Sequence, residues 1–216
     1  GCADPFLMPG VGDYIRERGL YGTGKNRKNL SMEQLEAEVI ALLNPNRVAH
    51  VLGCRDCAME LARLYGENEV DAARAGLLHD ITKAIDGPLQ LTLCAEYGIV
   101  LDTFSKAYPK TLHALTGSLV AERIFGENED VVRAICHHTT GRANMTLLEK
   151  IIYIADYVER NRNFPGVEEM RAMAYTDLDK AVLMGLESAV AHVKRQGQGL
   201  APATQEALEF LQNCKT

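Results

Sequence analysis

The chain has 216 residues, of which 47% are hydrophobic, and its formal net charge is −6 at pH 7. This length allows one substantial core with at most a small appendage, and the acidic balance argues against a general nucleic-acid binder, which would carry a basic stripe. No apolar run reaches the roughly 18 to 20 residues that cross a bilayer, and no secretory signal opens the chain. We therefore expect a cytoplasmic protein without a membrane partner.

Residues 1–29 differ in composition from the rest of the chain. Glycine and proline recur there without a long helical period, and residues 22–29 are linker-like. We therefore expect an N-terminal tail and linker at residues 1–29 and the main domain at residues 30–216.

From Ser31 onward, apolar residues recur at helical spacing. Ser31 and Gln34 predict a capping box for a first helix that runs through Leu43. Further helices are predicted at residues 46–65, 69–83, 88–97, 111–125, 130–138, 146–160, 168–194 (with a break near residues 176–177) and 202–212. No segment shows the period of a strand, so the pattern indicates an all-α domain of stacked helices.

The most informative stretch is residues 77–83, where an apolar run ends in His79 and Asp80. Both side chains are metal-ligand types, and both are costly to bury alone. Lys83 follows His79 by four residues, so on a helix its ammonium group would lie on the same face. This stretch therefore predicts a site rather than only a core helix.

Three further helices place a ligand-type side chain on an apolar face, and these side chains are His50, His113 and Asp156. Asp156 is the clearest case, because it follows Leu148 and Ile152 at helical spacing on a face that is otherwise apolar. An ionised carboxylate in such a place requires a cation.

Helical period also separates the neighbours His137 and His138. His138 follows Val131 and Ile135 on the apolar face, whereas His137 follows Arg133. We therefore expect His138 to point inward.

Each imidazole taken singly has another explanation, since an inward-facing histidine is more often a hydrogen-bonded core residue than a ligand. Together, about six ligand-type residues suit two metal ions with open positions better than a closed tetrahedral site. They are His50, His79, Asp80, His113, His138 and Asp156. Mixed imidazole and carboxylate ligands suit iron, manganese, cobalt or zinc, and the residues alone do not choose among them.

The six cysteines are scattered along a chain too large to need disulfides, so we expect reduced thiols. Cys54 and Cys57 form a C-x-x-C pair, for which a redox or zinc role is an alternative. Because no second pair accompanies it, we favour two small residues on one helix face.

The order H…HD…H…H…D on consecutive helices resembles the HD-domain phosphohydrolase superfamily. Longer strings are similar to its symmetrical bis(5′-nucleosyl)-tetraphosphatases: HVLG at 50–53, GLLHDITK at 76–83, HTTGR at 138–142 and LEKIIYIADYVE at 148–159. The resemblance covers roughly residues 31–213. It implies an HD-domain helical bundle that binds iron at a two-metal site and splits diadenosine tetraphosphate into two ADP.

The resemblance also implies roles for individual residues. Asp80 would bridge two metals, one of them completed by His50, His79 and Asp156 and the other by His113 and His138. His137 stands where the family usually has a bulky residue, often Tyr, and Arg160 stands where it often has Pro. Whether His137 joins the metal set is therefore open.

Residual phosphate charge would require cations and hydrogen-bond donors near the metals. We expect Asp80, Lys83 and Arg142 to be catalytic, and Lys83, Thr139, Thr140 and Arg142 to bind substrate. A solvated loop charge is the alternative for Arg142. Asn161 and Arg162 are weaker candidates, and we expect His192 at the surface.

Residues 5–22 resemble the C-terminal tail of nicotinate-mononucleotide adenylyltransferases, which implies an adenylyltransferase domain fused upstream. The alternative is a short helix at residues 13–18 that packs on the main domain.

Two other functions stay open at this stage. One is an HD enzyme of different specificity, acting on deoxynucleotides or cyclic nucleotides, and the other is a non-enzymatic nucleotide-binding regulator. The residues do not reveal the oligomeric state, although a homodimer is a common outcome.

Overall fold

The structure is a computed structural model and describes residues 27–213. Those residues form helices and turns and contain no strand, so the predicted all-α fold class is confirmed. The adenylyltransferase-like segment at 5–22 and the alternative helix at 13–18 lie outside the described residues. None of the helices between residues 27 and 213 has the length and hydropathy that crossing a membrane requires.

The α-helices in chain order are α1 Met32–Leu42, α2 Pro45–Tyr65, α3 Glu69–Leu78, α4 Gly87–Glu96, α5 Thr103–Ala107, α6 His113–Val120, α7 Glu129–His137, α8 Leu147–Val158, α9 Val167–Ala174, α10 Leu178–Arg195 and α11 Pro202–Asn213. A 3₁₀-helix at Pro109–Leu112 leads into α6, and a π-helix at Ala121–Phe125 follows it. The predicted break near residues 176–177 separates α9 from α10, where Asp177 caps α10 by accepting from the Lys180 N–H at 3.0 Å. The short helix α5 was not predicted.

The predicted helix at residues 69–83 is too long, because α3 ends at Leu78. From there the backbone continues in tight turns, in which Lys83 N–H donates to Asp80 O at 2.9 Å. The expectation that Lys83 shares a helix face with His79 is therefore wrong. The turn leaves Asp80 itself 1% exposed, inside the bundle.

Helix α8 runs through the centre of the bundle and packs against α2, α3, α7, α9 and α10. It begins at a capping box in which Thr146 and Glu149 satisfy each other's backbone N–H groups. Its buried face belongs to a continuous apolar core, whose largest fully buried side chains include Tyr153, Ile151, Ile152, Ile154, Leu77 and Leu186.

Helices α2 and α3 pack closely because Gly76 has no side chain. A Cβ atom at Gly76 would lie 2.8 Å from Arg55 Cα and 3.0 Å from Arg55 N, which are backbone atoms that cannot move independently. This contact brings the end of α3, and with it His79, against the helix that carries His50.

We predict that Gly76→Ala destabilises the chain by about 1–3 kcal/mol, because the added methyl group forces α2 and α3 apart. The matched control is Gly117→Ala in α6, where a Cβ atom would meet only ordinary contacts of 3.4 Å and longer. Urea unfolding followed by circular dichroism compares the two, and a Gly76→Ala variant as stable as the control would contradict this packing.

Candidate metal centre and active-site pocket

Asp80 lies at the centre of the candidate site. Its carboxylate is buried, and its Oδ1 atom accepts no hydrogen bond from the part of the chain that the structure describes. The Oδ2 atom contacts the guanidinium of Arg47, which stands one helical turn before His50. A buried carboxylate so poorly provided with donors is costly unless a cation approaches it.

Four imidazoles surround Asp80, and each has its Nδ1 atom engaged on the side away from it. The Nδ1 atoms of His79, His113 and His138 lie 2.7–2.8 Å from the backbone carbonyl of the residue three positions earlier. His50 differs, because its Nδ1 lies 3.1 Å from the Glu159 carboxylate. Carbonyl and carboxylate oxygens only accept, so each Nδ1 carries the proton and each Nε2 presents a lone pair.

These Nε2 atoms point at one another. The Nε2 atoms of His50 and His79 are 3.2 Å apart, and those of His113 and His138 are 3.1 Å apart. Burial lowers the pKa of His138 to about 4 and the pKa values of His79 and His113 well below their usual range. Opposed lone pairs on neutral rings repel, so the set of donors fits a cation held between them.

The two oxygens of Asp80 divide these imidazoles into two groups. Asp80 Oδ2 lies 3.7 Å from His50 Nε2 and 3.5 Å from His79 Nε2, whereas Oδ1 lies 3.3 Å from His113 Nε2 and 3.7 Å from His138 Nε2. Two donors that bind one ion at 2.0–2.2 Å stand roughly 3.0–3.6 Å apart. The observed spacings are close to that range on both sides of Asp80.

Asp156 joins the first group, with its Oδ1 atom 3.2 Å from His50 Nε2. Burial opposes its ionisation, but the contact with the His50 imidazole and the nearby positive charge of Arg162 hold the pKa of Asp156 well below its usual range. Arg162 also donates to the Asp156 backbone carbonyl at 2.6 Å.

The thiol of Cys54 lies beside this first group, 3.6 Å from His50 Nε2. Among the described residues, His50, Cys54, His79 and Asp156 form one set close enough to share an ion, and His79, Asp80 and His138 form a second.

Lys83 and Thr139 stand at the edge of the second group. Lys83 Nζ lies 2.9 Å from His113 Nε2, and the Thr139 hydroxyl lies 3.2 Å from the Nε2 atoms of His113 and His138. Burial lowers the pKa of Lys83 to about 8. His113 and His137 are both outside the two sets of residues that could share an ion. His113 Nε2 nevertheless lies 3.3 Å from Asp80 Oδ1, whereas His137 is half-buried at the position next to His138.

A pocket of about 830 Å³ opens beside the centre. His138 and Asp156 form its inner end, while Tyr157, Phe164 and Pro165 form an apolar wall. The cationic side chains of Lys83, Arg162 and Arg195 also line it, together with His192. Its volume lies within the range of small-molecule sites, and its charge is opposite in sign to that of the whole chain.

Thr140 and Arg142 make other contacts. The Thr140 hydroxyl donates to Gly141 O at 3.0 Å, and the Thr140 carbonyl accepts from Thr204 at 2.9 Å. Arg142 holds Glu149 through two bonds of 2.9 and 2.7 Å, which ties it to the capping box of α8. The phosphate roles expected for Thr140 and Arg142 stay predictions.

Sequence reasoning missed three parts of this site. Arg47 precedes His50 by three residues and lies on the same helix face, but the sequence assigned no role to it. Glu159 follows Leu148 and Ile152 on the apolar face of the predicted helix, but its partner His50 is 109 positions away and it received no role. The side of the pocket formed by α10 was also missed, since His192 is exposed, as expected, and yet lines the pocket.

Comparison with known proteins decides the family. The HD domain profile matches residues 47–161, a little over half of the chain and the span that holds every candidate ligand. The chain belongs to the HD-domain family. Its six ligand-type residues lie within this span, in the order the sequence predicted.

Relatives of this HD domain cover most of the chain. The chain is 40% identical over 163 residues to a protein of Halalkalibacterium halodurans named symmetrical bis(5′-nucleosyl)-tetraphosphatase. The alignment spans 75% of this chain and 87% of that protein. A Bacillus subtilis protein of the same name is 34% identical, with 81% and 94% covered. The crystal structure of a predicted HD superfamily hydrolase involved in NAD metabolism from Clostridium acetobutylicum superposes with a TM-score of 0.83 at 39% identity, covering 86% and 98% of the two chains.

We predict that His138→Ala removes at least one of about two metal ions per chain, because it deletes an Nε2 donor from the second group. His137→Ala is the matched control, since it removes the adjacent imidazole and leaves both groups intact. Elemental analysis of protein purified without chelator measures the difference. Loss of metal in the His137 variant alone would show that the ligand assignment of α7 is reversed.

Proposed function

We propose that this protein is a metal-dependent hydrolase that cleaves diadenosine tetraphosphate symmetrically into two ADP. The observation that carries the proposal is the convergence of four Nε2 donors on the Asp80 carboxylate, whose Oδ1 accepts no hydrogen bond from the described residues, beside a pocket lined by cations. The names of the relatives supply the substrate and the position of cleavage.

In this proposal six residues hold two ions, and iron is the proposed metal, with manganese, cobalt and zinc as the other metals that suit these ligands. His50, His79 and Asp156 hold one ion, His113 and His138 hold the other, and Asp80 lies between them. When bound, the metals supply Lewis acidity, which lowers the pKa of a water molecule and neutralises phosphate charge.

The protein's own cations bind the phosphate chain. Lys83 lines the pocket and reaches the metal centre, with its Nζ 3.7 Å from Asp80 Oδ1. Thr139 presents a hydroxyl at the same boundary. Arg162 keeps Asp156 ionised and in place while its own side chain lines the pocket. These groups favour a polyanionic substrate in a protein whose net charge would otherwise repel it.

The apolar wall of the pocket suits a nucleobase. Tyr157 and Phe164 offer aromatic rings and Pro165 offers a flat apolar face, and bases stack favourably on such surfaces. One nucleotide half held there would present a central phosphorus atom to the metal centre, while the other half departs as ADP.

Several expectations remain proposals beside this one. We propose that residues 30–216 form the HD domain and that residues 1–29 are a tail and linker, a remnant of a fused adenylyltransferase domain. The homodimer, the cytoplasmic location and the absence of a nucleic-acid partner also remain predictions.

We predict that the metal-loaded protein converts diadenosine tetraphosphate into two ADP, with oxygen-18 from solvent appearing in one ADP of each pair. Mass spectrometry of the products measures both outcomes. AMP and ATP as products would overturn symmetric cleavage, and nucleotide binding without turnover would favour a regulator. Faster hydrolysis of deoxynucleotides or cyclic nucleotides would instead indicate an HD enzyme of different specificity.

We predict that Lys83→Ala lowers kcat by about 10²-fold, the usual cost of removing one donor to developing charge. Its metal content should not change, because Lys83 is not in the proposed ligand set. Lys194→Ala is the matched control, since Lys194 is exposed on α10 and is not among the residues that line the pocket. Loss of metal in Lys83→Ala would make Lys83 a structural support instead.

A further inference from the structure

Glu159 is a buried carboxylate directly behind the candidate metal centre. It is 1% exposed, and its Oε1 atom lies 3.1 Å from His50 Nδ1. We propose that Glu159 is a positioning residue that fixes the orientation and tautomer of His50, and that Gly53 makes the space this carboxylate occupies. The inference rests on the metal-binding role proposed for His50.

The backbone directs Glu159 toward His50. Helix α8 ends at Val158, and the ψ of Glu159, 154°, turns the following backbone out of the helical path, while the Glu159 side chain reaches α2. Arg171 fixes this exit by donating to Val158 O at 2.7 Å and to Glu159 O at 3.1 Å. The carbonyls at the end of the helix are thereby satisfied by a cation, which also suits the helix dipole.

The second carboxylate oxygen is fully engaged elsewhere. Glu159 Oε2 accepts from the Asn161 backbone N–H at 2.7 Å and from Asn161 Nδ2 at 2.9 Å. The same amide donates to Ala49 O at 2.9 Å, one residue before His50. Because Asn161 fixes Oε2 and ties this loop to α2, Oε1 is held in place for the imidazole.

Gly53 lies three residues after His50, on the same side of α2. A Cβ atom there would overlap Glu159 Oε2 and would lie 2.9 Å from Asn161 Nδ2 and 3.0 Å from Glu159 Cδ. The carboxylate cannot retreat without losing its bonds to both His50 and Asn161. A glycine at position 53 is therefore a condition for the contact between Glu159 and His50.

This arrangement gives His50 an environment that the other three imidazoles lack. His79, His113 and His138 donate to neutral carbonyls, whereas His50 donates to a carboxylate. A carboxylate behind a ligating imidazole fixes the ring and raises the basicity of the opposite nitrogen, and losing such a partner typically costs about 10–100-fold in metal affinity.

The experiment compares Glu159→Ala, Glu159→Gln and Gly53→Ala with Glu149→Gln as the matched control. Glu149 is equally buried at the other end of the same helix, where it holds Arg142 and the capping box. Manganese affinity of the folded protein is measured by calorimetry. Histidine ring tautomers of the metal-free protein are measured by nitrogen-15 NMR.

We expect Glu159→Ala and Gly53→Ala to weaken one manganese site by about 10–100-fold and to leave His50 in mixed tautomers. Glu159→Gln keeps an acceptor oxygen and should retain the Nδ1–H tautomer with a smaller loss of affinity. Glu149→Gln should lower thermal stability and leave affinity unchanged. Equal losses of affinity in the Glu149 and Glu159 variants, or wild-type affinity and tautomer in Glu159→Ala, would overturn the inference. Absence of manganese binding in the wild type would overturn the proposed function as well.

Discussion

The central constraint on this structure is the repulsion among neutral nitrogen lone pairs gathered around one buried carboxylate. Each of the four imidazoles has its proton on the outward nitrogen, so the inward nitrogens at 3.1–3.2 Å have nothing to donate to one another or to Asp80. Such an arrangement costs free energy in the absence of a cation. The packing of the rest of the fold must therefore hold these side chains in place, and a bound metal would offset this unfavourable free energy.

Three of the four imidazoles are held in the same way, each by a hydrogen bond from its Nδ1 to the backbone carbonyl three positions earlier. His79 is the C-cap residue of α3 and His138 is the C-cap residue of α7, and each ring donates to a carbonyl in the last turn of its own helix. Carbonyls in the last turn of a helix generally lack intrahelical partners, although Ile135 O also accepts the His138 backbone N–H at 3.4 Å. One hydrogen bond thus completes the helix end and selects the tautomer of the ligand. His113 does the same on the 3₁₀-helix that precedes α6.

The sequence predicted what depends on local spacing and failed where the chain changes direction. Helical period correctly placed His138 inside with Val131 and Ile135, and it indicated Asp156, which is partly exposed and lines the pocket beside His50. The same reasoning extended α3 through Lys83, because nothing in the apolar pattern marks the turn at His79. Helical period also puts Glu159 on the face of Leu148 and Ile152, but its contact with His50 could not be predicted, because the two residues are 109 positions apart. The pairing of Arg142 with Glu149 likewise depends on a loop whose path has no periodic signal.

The distribution of charge in the fold could not be predicted from the sequence either. The composition is acidic, whereas the tertiary structure brings the positive charges of Lys83, Arg162 and Arg195 together around one pocket. These residues come from distant segments and become a local field only when α10 packs beside the end of α8. An acidic protein can thereby offer a polyphosphate a favourable site.

The most direct test of the account is anomalous diffraction from crystals grown with iron or manganese. The account predicts two peaks on either side of the Asp80 carboxylate, about 3.5–4 Å apart. One peak would lie within bonding distance of His50, His79 and Asp156, and the other within bonding distance of His113 and His138. No peak beside Asp80, or a single peak bound elsewhere in the chain, would contradict it.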